Sequence, residues 1–140
     1  MDEKQGSFGA RNGGGGAELD RKHLMSQDEK ECIFCKIVAG DLPTNKLFEN
    51  DWVVAFADIA PKAPQHVLVV PKKHIANLNE IDDADRDLLA NLMFSVRDVA
   101  RKLGIGDAYQ VKIYSGEKAG QTVFHLHIHV MGGWEKAQHH

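Results

Sequence analysis

The segment His125-Leu126-His127-Ile128-His129-Val130-Met131 constrains this chain more than any other. Successive residues of an extended strand point to opposite faces. Three imidazoles therefore share one face, while Leu126, Ile128 and Val130 fill the other. A core strand would carry apolar side chains where the histidines stand. Buried imidazoles need partners for their nitrogens, because unpaired buried polar groups are costly. The histidine face is expected to line a site rather than a core.

At 140 residues the chain suggests one domain with an adequate core. A net charge of -3 offers no electrostatic argument for nucleic acid or an anionic membrane. No apolar run approaches the roughly 20 residues of a membrane helix, and the N-terminus shows no apolar signal-peptide stretch. Two cysteines, Cys32 and Cys35, are too few to staple a secreted fold. Their spacing reads as a metal or redox pair in a reducing compartment, so a cytoplasmic protein is expected.

Residues 1–28, with the glycine run Gly13–Gly16, read as a disordered tail. The domain is expected over 29–134, followed by a short polar tail over 135–140. Cys32 to Val38 is apolar at helical intervals and stops before Gly40, which predicts a short helix. Lys46–Glu49 and Trp52–Ala57 read as strands around an Asn50-Asp51 turn. His66–Val70 is a β-branched third strand ending at Pro71. Asp82 or Asp83 can cap a long helix that ends near Gly104. Its stripe of Leu88, Leu89, Leu92, Met93, Val96, Val99, Ala100 and Leu103 suits a core or a dimer interface. Tyr109–Tyr114 and Val123–Met131 complete five strands, with Ser115–Thr122 as the link. The fold class is α+β: a mainly antiparallel sheet with one long and one short helix.

The histidine segment resembles the signature of the histidine triad (HIT) family, His-x-His-x-His-x-x with x apolar. The resemblance extends to Phe56-Ala57-Asp58-Ile59-Ala60-Pro61, to His66-Val67-Leu68-Val69-Val70-Pro71-Lys72-Lys73-His74-Ile75 and to Gly120-Gln121-Thr122-Val123-Phe124. It spans roughly Cys32 to Gly133 and looks closest to the Hint-like branch, the nucleoside phosphoramidate hydrolases. That likeness implies hydrolysis of purine nucleoside 5'-phosphoramidates through a nucleotidyl-histidine, and a homodimer.

A neutral imidazole in line with phosphorus can act as a nucleophile, provided its other nitrogen is held. The resemblance assigns this role to His127. His129 would donate to a phosphate oxygen or the leaving group. Gln121 and Thr122 would face the non-bridging oxygens, with backbone amides near Gly120 and Gln121 as further donors. Asp58 would accept the ribose hydroxyls. Ile33, Phe34, Ile37, Phe56, Ile59 and Leu68 would enclose the base, and His66 would stand behind the nucleophile. No cofactor is expected to be required for catalysis.

Cys-x-x-Cys is a zinc-type spacing. By resemblance to some HIT relatives, the ligands are Cys32, Cys35, His74 and His125, a closed structural Zn2+ set. Three features depart from the family pattern. Tyr114 stands where the Hint-like branch commonly has Asn, Ala57 stands where His is frequent, and the tail beyond Trp134 is short. Three rivals remain at this level. They are a dinucleoside polyphosphate hydrolase or nucleotidyl transferase of the same family, a nucleotide-binding regulator or scaffold, and a zinc-dependent interaction module.

Overall fold

A computed structural model describes residues 31–138. The tail expected over 1–28, and the terminal His139 and His140, lie outside the described residues. The elements are α1 (Ile33–Ala39), β1 (Lys46–Glu49), β2 (Val53–Ala57), β3 (Gln65–Pro71), α2 (Arg86–Lys102), β4 (Tyr109–Lys112) and β5 (Ile128–Gly132). The strands form one sheet in the order β1-β2-β3-β5-β4. Every neighbouring pair is antiparallel. The expected α+β class holds.

The two central strands read as continuous apolar runs, Val53 to Phe56 and Val67 to Val70, because helices cover both of their faces. On one face Val53, Ala55, Val67, Val69, Ile128 and Val130 pack against Leu92, Val96, Val99 and Ala100 of α2. On the other, Val54, Phe56, Leu68 and Val70 pack against Cys32, Phe34 and Ile37 of α1. Each buried Val, Leu, Ile or Phe among them contributes about 1.5–3 kcal/mol of hydrophobic stabilisation. The short α1 reaches only as far as β2 and β3 on its face. No helix covers that face over β5 and β4 among the described residues, and this leaves the sheet open there.

Local chemistry sets the element ends. Cys32 is the N-cap of α1, its Sγ accepting from Cys35 N, and Gly40 ends the helix in the left-handed region at φ 84°. Asn50 builds the expected hairpin turn: its Oδ1 accepts from Trp52 N (2.8 Å) and Val53 N (2.9 Å). Its Nδ2 donates to Ser95 Oγ of α2 at 3.1 Å, so a buried serine within the helix fastens the turn. At Gly132 a Cβ would lie 2.8 Å from Ile105 Cδ1 and 3.1 Å from the Ala108 carbonyl, so a larger residue would have to push the Ile105 side chain aside and crowd that carbonyl.

Four expectations need correction. Asp82 caps a short 3-10 turn, Asp83–Asp85, and the α-helix proper begins at Arg86. Met93, placed on the core stripe, is 49 % exposed, and Phe94 beside it is 57 % exposed. The fourth strand ends at Lys112 instead of Tyr114. The fifth begins at Ile128 instead of Val123, so His125 and His127 precede it. The chain there turns its backbone to other partners: Leu126 N donates to Ile75 O at 2.7 Å, and His127 Nδ1 binds the His125 carbonyl.

Candidate active site

The three histidines do leave the chain on one side, the side of α1. Leu126, Ile128 and Val130 take the other and join the α2 core. Phe34 of α1 packs edge-on against both His125 (5.9 Å between centroids) and His127 (5.2 Å). His127 also faces His129 at 5.1 Å.

Hydrogen bonds fix the tautomer of each imidazole. His127 Nδ1 lies 2.7 Å from the His125 carbonyl, which can only accept, so Nδ1 carries the proton. Nε2 then holds a lone pair. Burial lowers the pKa of His127 and keeps the ring neutral, outweighing the raising effect of that backbone bond. Lys62 N–H donates to His66 Nδ1 at 2.9 Å, so the neutral His66 carries its proton on Nε2. That nitrogen sits 2.9 Å from His129 Nδ1 and 3.3 Å from Asp58 Oδ2. His129 therefore accepts at Nδ1 and keeps its own proton on Nε2. Its pKa is pushed down to about 4, first by burial, then by charge at His127 and His66.

Asp58, His66 and His129 are close enough together to suggest a metal site. The Lys62 hydrogen bond opposes it, because a neutral His66 that accepts at Nδ1 has no lone pair left at Nε2. Asp58 Oδ1 accepts from Ala60 N at 2.9 Å, and so also serves the turn that leads to Pro61.

The loop before the histidines differs from expectation. The Gln121 amide is buried and engaged at both ends: Nε2 donates to Ala76 O (2.6 Å) and Val123 O (3.0 Å), and Oε1 accepts from Gly116 N (2.8 Å). The backbone amides of Gly120 and Gln121 bond Glu117 O and Gly116 O. These groups fasten the loop in place of facing a phosphate. Thr122 is exposed at its mouth. Among the apolar residues expected around a base, Phe34, Ile37, Phe56 and Leu68 are buried in the α1 core, while Ile33 (46 %) and Ile59 (100 %) are exposed.

Cys32, Cys35, His74 and His125 converge as a second group. Cys32 Sγ is 3.3 Å and Cys35 Sγ 3.5 Å from His125 Nδ1; His74 Nδ1 is 3.1 Å from Cys35 Sγ and 3.2 Å from His125 Nδ1. These separations approach the edges of a tetrahedron with metal–ligand bonds of roughly 2.0–2.3 Å. His125 Nε2 lies 2.8 Å from the Pro71 carbonyl and must donate to it, which turns the Nδ1 lone pair toward the sulfurs. His74 Nε2 is buried with no hydrogen-bond partner among the described residues, and two thiols with two imidazoles suit a soft tetrahedral ion. The donor set fits a metal.

Beyond His129 the uncovered sheet face forms a cleft of ≈ 190 Å³ whose lining includes Asp58, Lys62, Lys112, Tyr114, His129 and Trp134. Tyr114 packs on His129 at 5.1 Å. Trp134 forms part of the wall, on the side where the short tail begins. Lys62 and Lys112 were not anticipated. For Lys112 the signal was available in the alternation of Gln110 and Lys112 on one face of β4, continued past the strand end by Tyr114 in the same cleft.

A family model described as the HIT domain matches residues 39–136. An uncharacterized HIT-like protein of Synechocystis is 42% identical over 104 residues, covering 74% of this chain and 91% of its own. Among solved structures, a HIT family hydrolase from Legionella pneumophila superposes with a TM-score of 0.72 at 40% identity, over 75% of this chain and 95% of its own. A HIT family hydrolase from Clostridium thermocellum gives 0.74 at 41% identity, over 79% and 96%.

Proposed function

The chain belongs to the HIT domain family, and on that premise we propose that it hydrolyses purine nucleoside 5'-phosphoramidates through a covalent intermediate on His127. The observation that carries this reading is the tautomer pair. His127 offers a neutral, unprotonated Nε2, and His129 beside it offers a protonated one.

In the first step the His127 Nε2 lone pair forms a bond to phosphorus and the P–N bond breaks. Its electron pair stays on the departing nitrogen, which accepts a hydrogen bond from His129 Nε2–H, takes a proton from solvent and leaves as an amine. In the second step water attacks the same phosphorus, its proton returns to solvent, and the P–His127 bond breaks to release a nucleoside monophosphate. Thr122 is proposed to donate to the non-bridging oxygens, and Asp58 to accept from the ribose. Ile33 and Ile59, exposed on the α1 side, are the apolar surfaces proposed to meet the base. Gln121 acts through the loop it fastens. Stabilising charge on the transferred phosphoryl group is the dominant catalytic contribution in this class of reaction.

The ion we propose for Cys32, Cys35, His74 and His125 is zinc. Four protein donors leave no open position, so its chemistry is structural. We propose a homodimer as well. Met93 and Phe94 on α2 and Val111 on the edge strand β4 are exposed apolar surfaces that a second copy would cover. Sedimentation at micromolar concentration tests this, and a monomer there overturns it. Free thiols at Cys32 and Cys35 suit a reducing cytoplasm, the compartment we propose.

The test of the reaction is single-turnover hydrolysis of adenosine 5'-phosphoramidate by wild type and His127→Asn, quenched in acid to trap nucleotidylated protein. Turnover and a trapped adduct in wild type alone are expected. Equal rates in both proteins, with no adduct, overturn the mechanism.

A further inference from the structure

The cleft beyond His129 carries a charge pattern that the reaction described above does not use. Lys112 lies directly opposite His129 in the β4–β5 register, so the two side chains share a face. Lys62 reaches the same cleft from the loop before β3. Its positive charge acts on both His66 and His129. Lys46 and Lys72 are paired with Glu49, and Lys73 with Asp85, so these three charges are already engaged. Neither Lys62 nor Lys112 has an ion pair among the described residues. In a chain of net charge -3, two unpaired ammonium groups converge on the one imidazole placed to donate an Nε2–H hydrogen bond. The Asp58 carboxylate lines the same cleft, so the two lysines leave its wall positive by one charge.

The size of the cleft indicates which part of a substrate it takes. At ≈ 190 Å³ it is smaller than the ~300–1,000 Å³ of sites that enclose a whole drug-sized ligand. It suits a fragment. The fragment that must come within reach of His129 Nε2 is the group leaving phosphorus, because the electron pair that develops on it accepts the Nε2–H hydrogen bond. Tyr114 and Trp134 supply aromatic walls along the path.

We propose that this cleft is the leaving-group subsite and that Lys62 and Lys112 select leaving groups that carry negative charge. Two sources share that chemistry: an amino acid joined to phosphorus through its nitrogen, with its carboxylate facing the lysines, and a phosphate chain. The proposal rests on the hydrolase reading above, and the bond changes at phosphorus are those already given.

The test compares kcat/KM for the adenosine 5'-phosphoramidates of glycine and of glycinamide, which differ by a carboxylate against an amide. Wild type is expected to prefer the glycine compound by about fivefold to tenfold, the scale of two partly exposed charge pairs. The preference should fall toward one in the double variant Lys62→Gln, Lys112→Gln, persist in Lys112→Arg, and shrink with added salt. Diadenosine tetraphosphate on the same proteins identifies the source. A larger loss for it than for the glycine compound in the double variant assigns the lysines to phosphate, and the reverse assigns them to carboxylate. A ratio near one in wild type together with no loss on diadenosine tetraphosphate overturns the proposal, as does a preference that survives in the double variant. In either case a trapped His127 adduct shows that the hydrolase reading stands; absence of the adduct with every substrate overturns that reading instead.

Discussion

His129 keeps its proton on Nε2 only because His66 supplies one to Nδ1, and His66 does so because the Lys62 amide occupies its other nitrogen. Three residues therefore decide one tautomer. His66→Leu removes the middle link without touching the substrate. We expect kcat to fall by about 10–100-fold, at or below the loss of one oriented hydrogen-bond donor, while nucleotide Kd changes little. Stopped-flow rates and calorimetry on the same sample separate the two, and an unchanged kcat means that His129 needs no such support. The imidazole itself stays neutral well into acid, since its pKa lies at about 4. Because the unfolded chain takes up that proton near pH 6.5, the folded state loses stability as pH falls from there toward 4.

At the scale of an element, the entry to α2 is the joint most exposed to test. Asp82 and Asp85 form a reciprocal capping box around the short turn, and Lys73 Nζ reaches Asp85 Oδ1 at 2.6 Å. Asp85 is buried, and the Lys73 hydrogen bond leads the causes that lower its pKa. A carboxylate with a depressed folded pKa stabilises above its unfolded value, and that contribution is lost as pH falls through the folded one. Asp85→Asn should therefore lower Tm at pH 7 by roughly 4–8 °C, corresponding to about 1 kcal/mol for a domain of this size, a figure held down by the exposure of Lys73. The gap between variant and wild type should narrow as pH falls below the ordinary carboxylate range. Thermal melts at pH 7 and pH 2.5 measure it, and a gap independent of pH assigns the loss to packing instead of charge.

For the whole molecule, the Cys/His group joins α1 to the segment approaching β5, and so sets the distance between Phe34 and His127. With zinc bound in that group, a strong chelator should lower Tm by about 5–15 °C, and Cys35→Ser should abolish stoichiometric metal in elemental analysis. Melting unaffected by chelator, in protein shown to hold metal beforehand, removes the structural role. The same α1 that closes the metal group stops short of β5 and β4, and this shortness opens the cleft where the leaving group is proposed to sit.

Much of this architecture is local and could be read along the chain. Strand and helix periods are properties of neighbouring residues, so both helices, the hairpin at Asn50 and four of the five strands lie within a few residues of where the sequence puts them, while the fifth starts five residues late at Ile128. The alternation of His125, His127 and His129 put them on one side of the chain even where the backbone is not a strand. The Cys-x-x-Cys spacing and the family likeness already group Cys32, Cys35, His74 and His125. Other properties depend on residues far apart in sequence. Gln121 looked like a free amide until Gly116, Ala76 and Val123 closed around it. Met93 fell on the right helical stripe, but the sheet does not extend beneath it. Lys62 and Lys112 are 50 positions apart and meet only because β4 lies beside β5. Which nitrogen of an imidazole holds the proton is decided by whatever packs against the other, and only the folded chain supplies that neighbour.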